Sequence, residues 1–137
     1  MASPVGKWVV YTDGASRGNP GPASIGAAIL DESGREIHTV SRRIGRATNN
    51  EAEYRAAIAG LEAALALGVR DVELRMDSEL VVRQLDSRYK VRNPSLRRLF
   101  GRMKDLQWRF ASFSVQHVRR ESNRRADKLA NEALDRE

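Results

Sequence analysis

One long helix organises this chain, and the other segments fall into place around it. Thr48-Asn49-Asn50-Glu51 fits a capping box with Thr48 as N-cap, which predicts a helix from Thr48 to about Leu67. Tyr54, Ile58, Leu61 and Leu65 form its apolar stripe, and Gly68 ends it. The segments before it are β-like. Lys7–Thr12 alternates Trp8, Val10 and Thr12 with Val9 and Tyr11, which predicts a central strand buried on both faces. Asp13-Gly14 and Gly18-Asn19-Pro20-Gly21-Pro22 then predict a wide turn. Ser24–Leu30 and Glu36–Ile44 predict two more strands around the Asp31-Glu32-Ser33-Gly34 turn, an antiparallel meander. Beyond the helix the pattern alternates. A strand is expected over Asp71–Met76, helices over Ser78–Leu85 and from Pro94 to about Gln107, a strand over Phe113–Val118 and a last helix over Ser122–Leu134.

That order predicts an α/β fold: a mixed five-stranded sheet, three antiparallel strands then two parallel, with helices on both faces. A right-handed helical crossover carries the fourth strand to the far side of the first, so these two lie adjacent and parallel. Their connections leave in opposite directions. Open α/β sheets bind ligands at such switch points, beyond the strand C-termini. Asp13, near the end of strand one, and Asp77, at the end of strand four, should therefore meet. No internal boundary, repeat or low-complexity segment appears, so one domain over residues 1–137 is expected, with no separate module ahead of it.

Two further acids stand where helices begin. Glu51 already serves the cap, so Glu53 is not needed for capping. Its helical face continues through Ala56, Ala57, Gly60 and Ala64, all small enough to approach the sheet closely. Asp127 lies in the first turns of the last helix. Each acid also has an ordinary explanation. Asp13-Gly14 is a common turn pair, Asp77 or Ser78 can cap the next helix, and Asp127 sits among other acids of a solvated helix. Together, however, four carboxylates at strand ends and helix starts would form a cluster that cannot stay ionised without a cation. The expected occupant is a hard divalent ion with oxygen ligands, Mg²⁺, with Mn²⁺ as a substitute.

Charge narrows the substrate. The net charge is +6, but residues 83–125 hold 13 Lys/Arg and three acids, whereas the rest holds 11 basic residues and 15 acids. An acidic metal site beside a basic segment suggests a polyanion, although an arginine-rich helix taken alone is equally a solvated surface. There is no cysteine, which excludes disulfides and thiolate zinc sites and points to a cytoplasmic protein. Met1-Ala2-Ser3-Pro4 opens no signal peptide, and no apolar run approaches the roughly 18 residues of a membrane-spanning helix.

In chain order these motifs resemble the type 1 ribonuclease H family, from about Lys7 to Ala133. They are Thr12-Asp13-Gly14 with the Gly18–Pro22 loop, Thr48-Asn49-Asn50 with Glu53, Asp77-Ser78, and His117 ten residues before Asp127-Lys128-Leu129-Ala130. Each is weak alone and specific in that order. The resemblance implies a ribonuclease H-like sheet and hydrolysis of the RNA strand of RNA–DNA hybrids by two metal ions, leaving 5′-phosphate and 3′-hydroxyl ends. It implies that Asp13, Glu53, Asp77 and Asp127 hold the metals and that His117, on a loop able to swing over the site, assists proton transfer or product departure. Asn131, one turn beyond Asp127, is an alternative ligand. Asn19, Asn49 and Asn50 would touch the minor groove, where 2′-hydroxyls identify RNA, and Thr48 would help hold a DNA-strand phosphate. Arg97 and Arg98, with Arg88, Lys90 and Arg92, would supply backbone contacts. The expected partner is an RNA–DNA hybrid, with double-stranded RNA as a second candidate, no membrane, and a monomeric protein. Glu79 departs from the Gln that family members often carry, which puts one base contact in doubt. The rival readings are a non-catalytic binding module of the same fold and a resolvase or transposase core.

Overall fold

A computed structural model describes residues 4–136, built on one sheet in the order β3-β2-β1-β4-β5. Residues 1–3, where a targeting segment was sought, lie outside the described residues, as does residue 137. The elements run β1 (Lys7–Ser16), β2 (Gly21–Leu30), β3 (Glu36–Ala47), α1 (Asn49–Ala66), β4 (Asp71–Met76), α2 (Glu79–Leu85), α3 (Pro94–Gln107), β5 (Ser112–His117), a 3₁₀ turn (Arg120–Ser122) and α4 (Arg124–Asp135). The first three strands pair antiparallel, and β4 and β5 add in parallel on the other side of β1. The predicted mixed sheet is the observed one.

Strand β1 is longer than its sequence pattern indicates. Asp13-Gly14 does not turn the chain, because β2 begins at Gly21 and continues the ladder as far as Ser16 opposite Ala23, with Asp13 opposite Gly26. Pairing along a partner strand overrides the local turn preference of Asp-Gly. On the other side β4 stops at Met76, opposite Thr12. Asp13–Ser16 therefore overhang β4, with a strand on one side only. Smaller shifts occur at β3, which extends to Ala47, and at α4, which starts at Arg124 after Ser122 is taken into the 3₁₀ turn.

Helices cover both faces, and α1 and α4 each meet the sheet at a glycine. A Cβ at Gly60 of α1 would lie 2.8 Å from Val10 Cγ1 and 2.9 Å from Thr12 Cγ2. A Cβ at Gly26 of β2 would lie 2.2 Å from the Ala126 carbonyl oxygen and 2.5 Å from Ala130 N, both in α4. Under α1, Val10, Val72, Leu74 and Met76 join Leu61 and, from α3, Met103 and Leu106 in the main core, all buried. Full burial of each such side chain contributes roughly 1.5–3 kcal/mol. The opposite face is only partly covered, since α4 packs on β1, β2 and β3 and not on β4 or β5. Val9 and Tyr11 are accordingly half-buried, which corrects the expectation of a strand buried on both sides. The open part is polar: Arg75 pairs with Glu73 at 2.6 Å and donates to the Tyr11 hydroxyl at 2.7 Å. No helix among the described residues is long and apolar enough to cross a membrane.

Candidate active site

The overhang of β1 creates the site. With β4 ended at Met76, Gly14 has no ladder partner on that side, and its N–H donates to Glu53 Oε1 at 2.7 Å. Position 14 admits only glycine, because a Cβ there would stand 2.2 Å from the Ala52 carbonyl carbon and 2.4 Å from Glu53 N. The first turn of α1 thus rests directly on the strand. That turn is closed by the predicted capping box: Glu51 N–H donates to Thr48 Oγ1 at 3.2 Å, and Thr48 N–H to Glu51 Oε1 at 2.8 Å. Glu51 caps, which leaves Glu53 for the site. A similar division holds after β4. Ser78 is the N-cap of α2 and its hydroxyl accepts from Val81 N–H at 3.4 Å, so Asp77 is not committed to capping.

Asp13, Glu53 and Asp77 each bring one carboxylate oxygen within 4.8 Å of the others. Asp13 is buried and the other two are half-buried. The Asp13 carboxyl is pushed up to about 10, first by burial and then by Glu53, Asp77 and Asp127. Glu53 is pushed up to about 8, again chiefly by burial; the Gly14 N–H opposes the shift, Asp77 adds to it, and the nearby Arg120 charge lowers it. Without a cation the cluster retains protons at neutral pH. A set of three buried or half-buried oxygen donors with that much uncompensated charge fits a hard divalent ion.

Asp127 belongs to the neighbourhood but not to the trio. Its charge helps raise the Asp13 carboxyl, from a half-buried place on α4. Asn131 donates to the Asp127 carbonyl at 3.0 Å and to its Oδ1 at 3.2 Å, so it orients Asp127 rather than replacing it. His117 ends β5 opposite Met76, exposed, with no side-chain hydrogen bond among the described residues. The segment after it carries the bond from Val118 N–H to the Met76 carbonyl at 3.0 Å and the 3₁₀ turn at Arg120–Ser122.

The expected substrate residues divide into two groups. Asn49 N–H donates to Asn19 Oδ1 at 3.0 Å, so Asn19, Thr48, Asn49 and Asn50 form one rim beside the carboxylates, although the Thr48 hydroxyl is already used in the cap. Arg97 and Arg98 line different clefts. Arg97 lines a cleft with Tyr89, Lys90, Phe100 and Lys104, whereas Arg98 lines another with Arg46, Glu51 and Arg55, next to the start of α1. Consecutive helical residues point about 100° apart, which separates them. Arg46 and Arg55 went unnoticed in the sequence because nothing in their spacing joins them to Arg98. Glu79 is exposed and pairs with Arg83. Asn123, buried between β1, Asp77 and α4, has no spacing or neighbour in the sequence that marks it.

Residues 11–133 match a family model described as reverse transcriptase-like. The chain is 50% identical over 130 residues to ribonuclease HI of Halobacterium salinarum, covering 95% of this chain and 65% of that protein. The crystal structure of that RNase H1 matches with a TM-score of 0.93, over 95% of this chain and 98% of the solved one. A bifunctional protein of Mycobacterium tuberculosis is 45% identical over 94% of this chain, which spans 36% of its length. LC11-RNase H1, isolated from compost, in complex with an RNA/DNA hybrid matches with a TM-score of 0.89 and 45% identity, over 93% of this chain and 96% of that chain. The chain thus spans less than two thirds of the length of these two curated relatives.

Proposed function

We propose that this chain, which belongs to the type 1 ribonuclease H family, is a metal-dependent endoribonuclease that hydrolyses the RNA strand of RNA–DNA hybrids. The observation that carries the reading is the convergence of Asp13, Glu53 and Asp77 within 4.8 Å on the overhang of β1. In this reading Asp13, Glu53, Asp77 and Asp127 hold Mg²⁺, or Mn²⁺ in its place. When bound, such ions supply an activated water and stabilise the departing 3′-oxygen, which leaves 5′-phosphate and 3′-hydroxyl ends.

The chain's own residues perform the rest. The Gly14 N–H fixes Glu53, and Asn131 orients Asp127. The His117 imidazole, exposed at the end of β5, would accept or return a proton in this reading. Asn19, Asn49 and Asn50 face the minor groove and read 2′-hydroxyls, while Arg46 and Arg98 beside Thr48 take phosphates of the uncut strand. Specificity follows duplex shape rather than sequence, with double-stranded RNA as a weaker substrate. The active unit is a monomer of this one domain working in the cytoplasm.

The test is cleavage of end-labelled RNA–DNA hybrid, RNA duplex and DNA duplex, with Mg²⁺, with Mn²⁺ and with chelator. Cation-dependent cutting of the hybrid's RNA strand with 5′-phosphate products is expected. Cutting in chelator, or equal cutting of the DNA duplex, refutes the reading.

A further inference from the structure

Asn123 is arranged in a way that neither helix capping nor core packing explains. It is 1% exposed and occupies the N-cap position of α4. An asparagine there ordinarily turns its side-chain oxygen to a free N–H of the first turn. Here the backbone sits at φ −121°, ψ 23° rather than extended, and the side chain makes no capping bond. Its Nδ2 instead donates to the Thr12 carbonyl at 2.9 Å and, more distantly, to Asp77 Oδ2 at 3.4 Å. Its Oδ1 is buried without a partner among the described residues. Rotating the amide would set that oxygen against a carbonyl and a carboxylate, so acceptor-only neighbours dictate its orientation.

The chain therefore forgoes a helix cap and leaves a buried acceptor unbonded at a single residue. Both choices cost stability, and local rules broken without a local gain concentrate at functional positions. The place where it happens joins three carboxylate-bearing elements. Thr12 precedes Asp13 in β1, Asp77 follows β4, and the Asn123 carbonyl accepts the N–H of Asp127 at 3.1 Å.

We propose that Asn123 is a positioning residue of the metal centre, tying the Asp77 carboxylate to the strand that carries Asp13 and setting where α4, and with it Asp127, begins. The inference rests on the functional reading above. Groups that orient metal-binding carboxylates without touching the ion typically change affinity or activity by about 10–100-fold when removed.

The experiment compares wild type, Asn123→Ala, Asn123→Ser and Ser24→Ala. Ser24→Ala removes a different tie to α4, from the Ser24 hydroxyl to the Ala130 carbonyl. Three quantities are measured: melting temperature of the metal-free protein, calorimetric affinity for Mn²⁺ and Mg²⁺ without substrate, and kcat and KM on hybrid across a Mg²⁺ series. For Asn123→Ala, cation affinity should weaken and the Mg²⁺ concentration for half-maximal turnover should rise, each by about 10-fold or more. The KM for hybrid should stay within about 3-fold, the split expected of a group that acts on the ion site and not on duplex binding. Asn123→Ser should show a smaller shift in the same direction. Ser24→Ala should lower only the melting temperature. If the Asn123 variants also change only the melting temperature, the proposal is wrong. Failure of both to fold while Ser24→Ala folds overturns it as well, since Asn123 would then be a core residue first. A wild type that binds cation without cutting hybrid sinks the functional reading but leaves the calorimetric test of Asn123 standing.

Discussion

Helices α1 and α4 each deliver a carboxylate to β1 from opposite faces of the sheet, and they are anchored differently. Helix α1 is fixed where its acid is: the capping box closes its first turn, the Gly14 N–H grips Glu53, and its backbone touches the strand at position 14. Helix α4 is tied to β1 at its start through the Asn123 side chain alone among the described residues, and the ties to its own carbonyls lie farther along. Ser41 donates to the Leu129 carbonyl at 2.6 Å, Ser24 to that of Ala130, and Arg43 to those of Ala133 and Leu134 at 3.0 and 2.8 Å. Its first turn has no side-chain cap. Glu53 consequently stands inside the tight trio and Asp127 stands beside it. A ligand clamped at the backbone has one position. A carboxylate whose helix start is tied to the strand through one neighbouring side chain, Asn123, depends on that side chain.

The largest expected effect comes from the acids themselves. Asp13→Asn and Glu53→Gln should each lower turnover by about 10³-fold or more in Mg²⁺ while hybrid binding stays within a few-fold, whereas Asp127→Asn should cost at least ten times less. Equal losses at Glu53 and Asp127, measured under saturating substrate, would break the contrast between the two helices.

Next is the contact that seats α1. Gly14→Ala forces α1 away from the strand, so a destabilisation of about 1–3 kcal/mol is expected together with a turnover loss larger than the unfolded fraction explains. Denaturant titration and activity on one preparation separate the two.

A pH series sharpens the electrostatic side of the comparison. Asp13 ionises near 3.8 when unfolded and only near 10 in the fold, and Glu53 near 4.5 and 8. Between those values the folded state binds more protons, so this contribution is whole below about pH 4 and is lost as pH rises toward 10. In chelator the melting temperature should therefore fall between about pH 5 and 9, and the slope should flatten in Asp13→Asn. A rising trend in the wild type would contradict the buried-cluster account.

The smallest effect probes the rear anchor. Arg43→Ala should lower the melting temperature by a few degrees and leave turnover within about 3-fold, while Thr48→Ala, of similar stability cost at about 1 kcal/mol, should lower turnover more. Matched turnover losses would mean that anchoring at either end is equivalent.

The sheet order was legible because few topologies satisfy two hairpins, one capped helix and a right-handed crossover. The meeting of Asp13 and Asp77 was legible from the switch point between strands one and four, and Glu53 because Glu51 visibly took over capping and left it without a local task. The extent of β1 was not, since Asp13-Gly14 is chemically a turn and only the ladder with β2 keeps it extended. Nor was the separation of Arg97 from Arg98, because adjacency in sequence says nothing about which cleft each helical position faces. Asn123 was hidden by its company. Flanked by Ser122, Arg124 and Arg125, it has the look of a surface residue and is buried.

The bond from Asn49 N–H to Asn19 Oδ1 joins two segments 30 residues apart before any duplex arrives. Loops that become ordered only on contact lose conformational entropy at that moment, which weakens binding. Here the ordering belongs to folding. In the proposed hybrid complex, the Asn19 Nδ2, exposed and unbonded among the described residues, would stand at a set distance from the Asn49 backbone and would gauge groove width. On that reading a duplex whose groove does not match would have to deform itself, at its own elastic cost. Discrimination of this kind resides in the helices that fail to fit and needs no contact with any base.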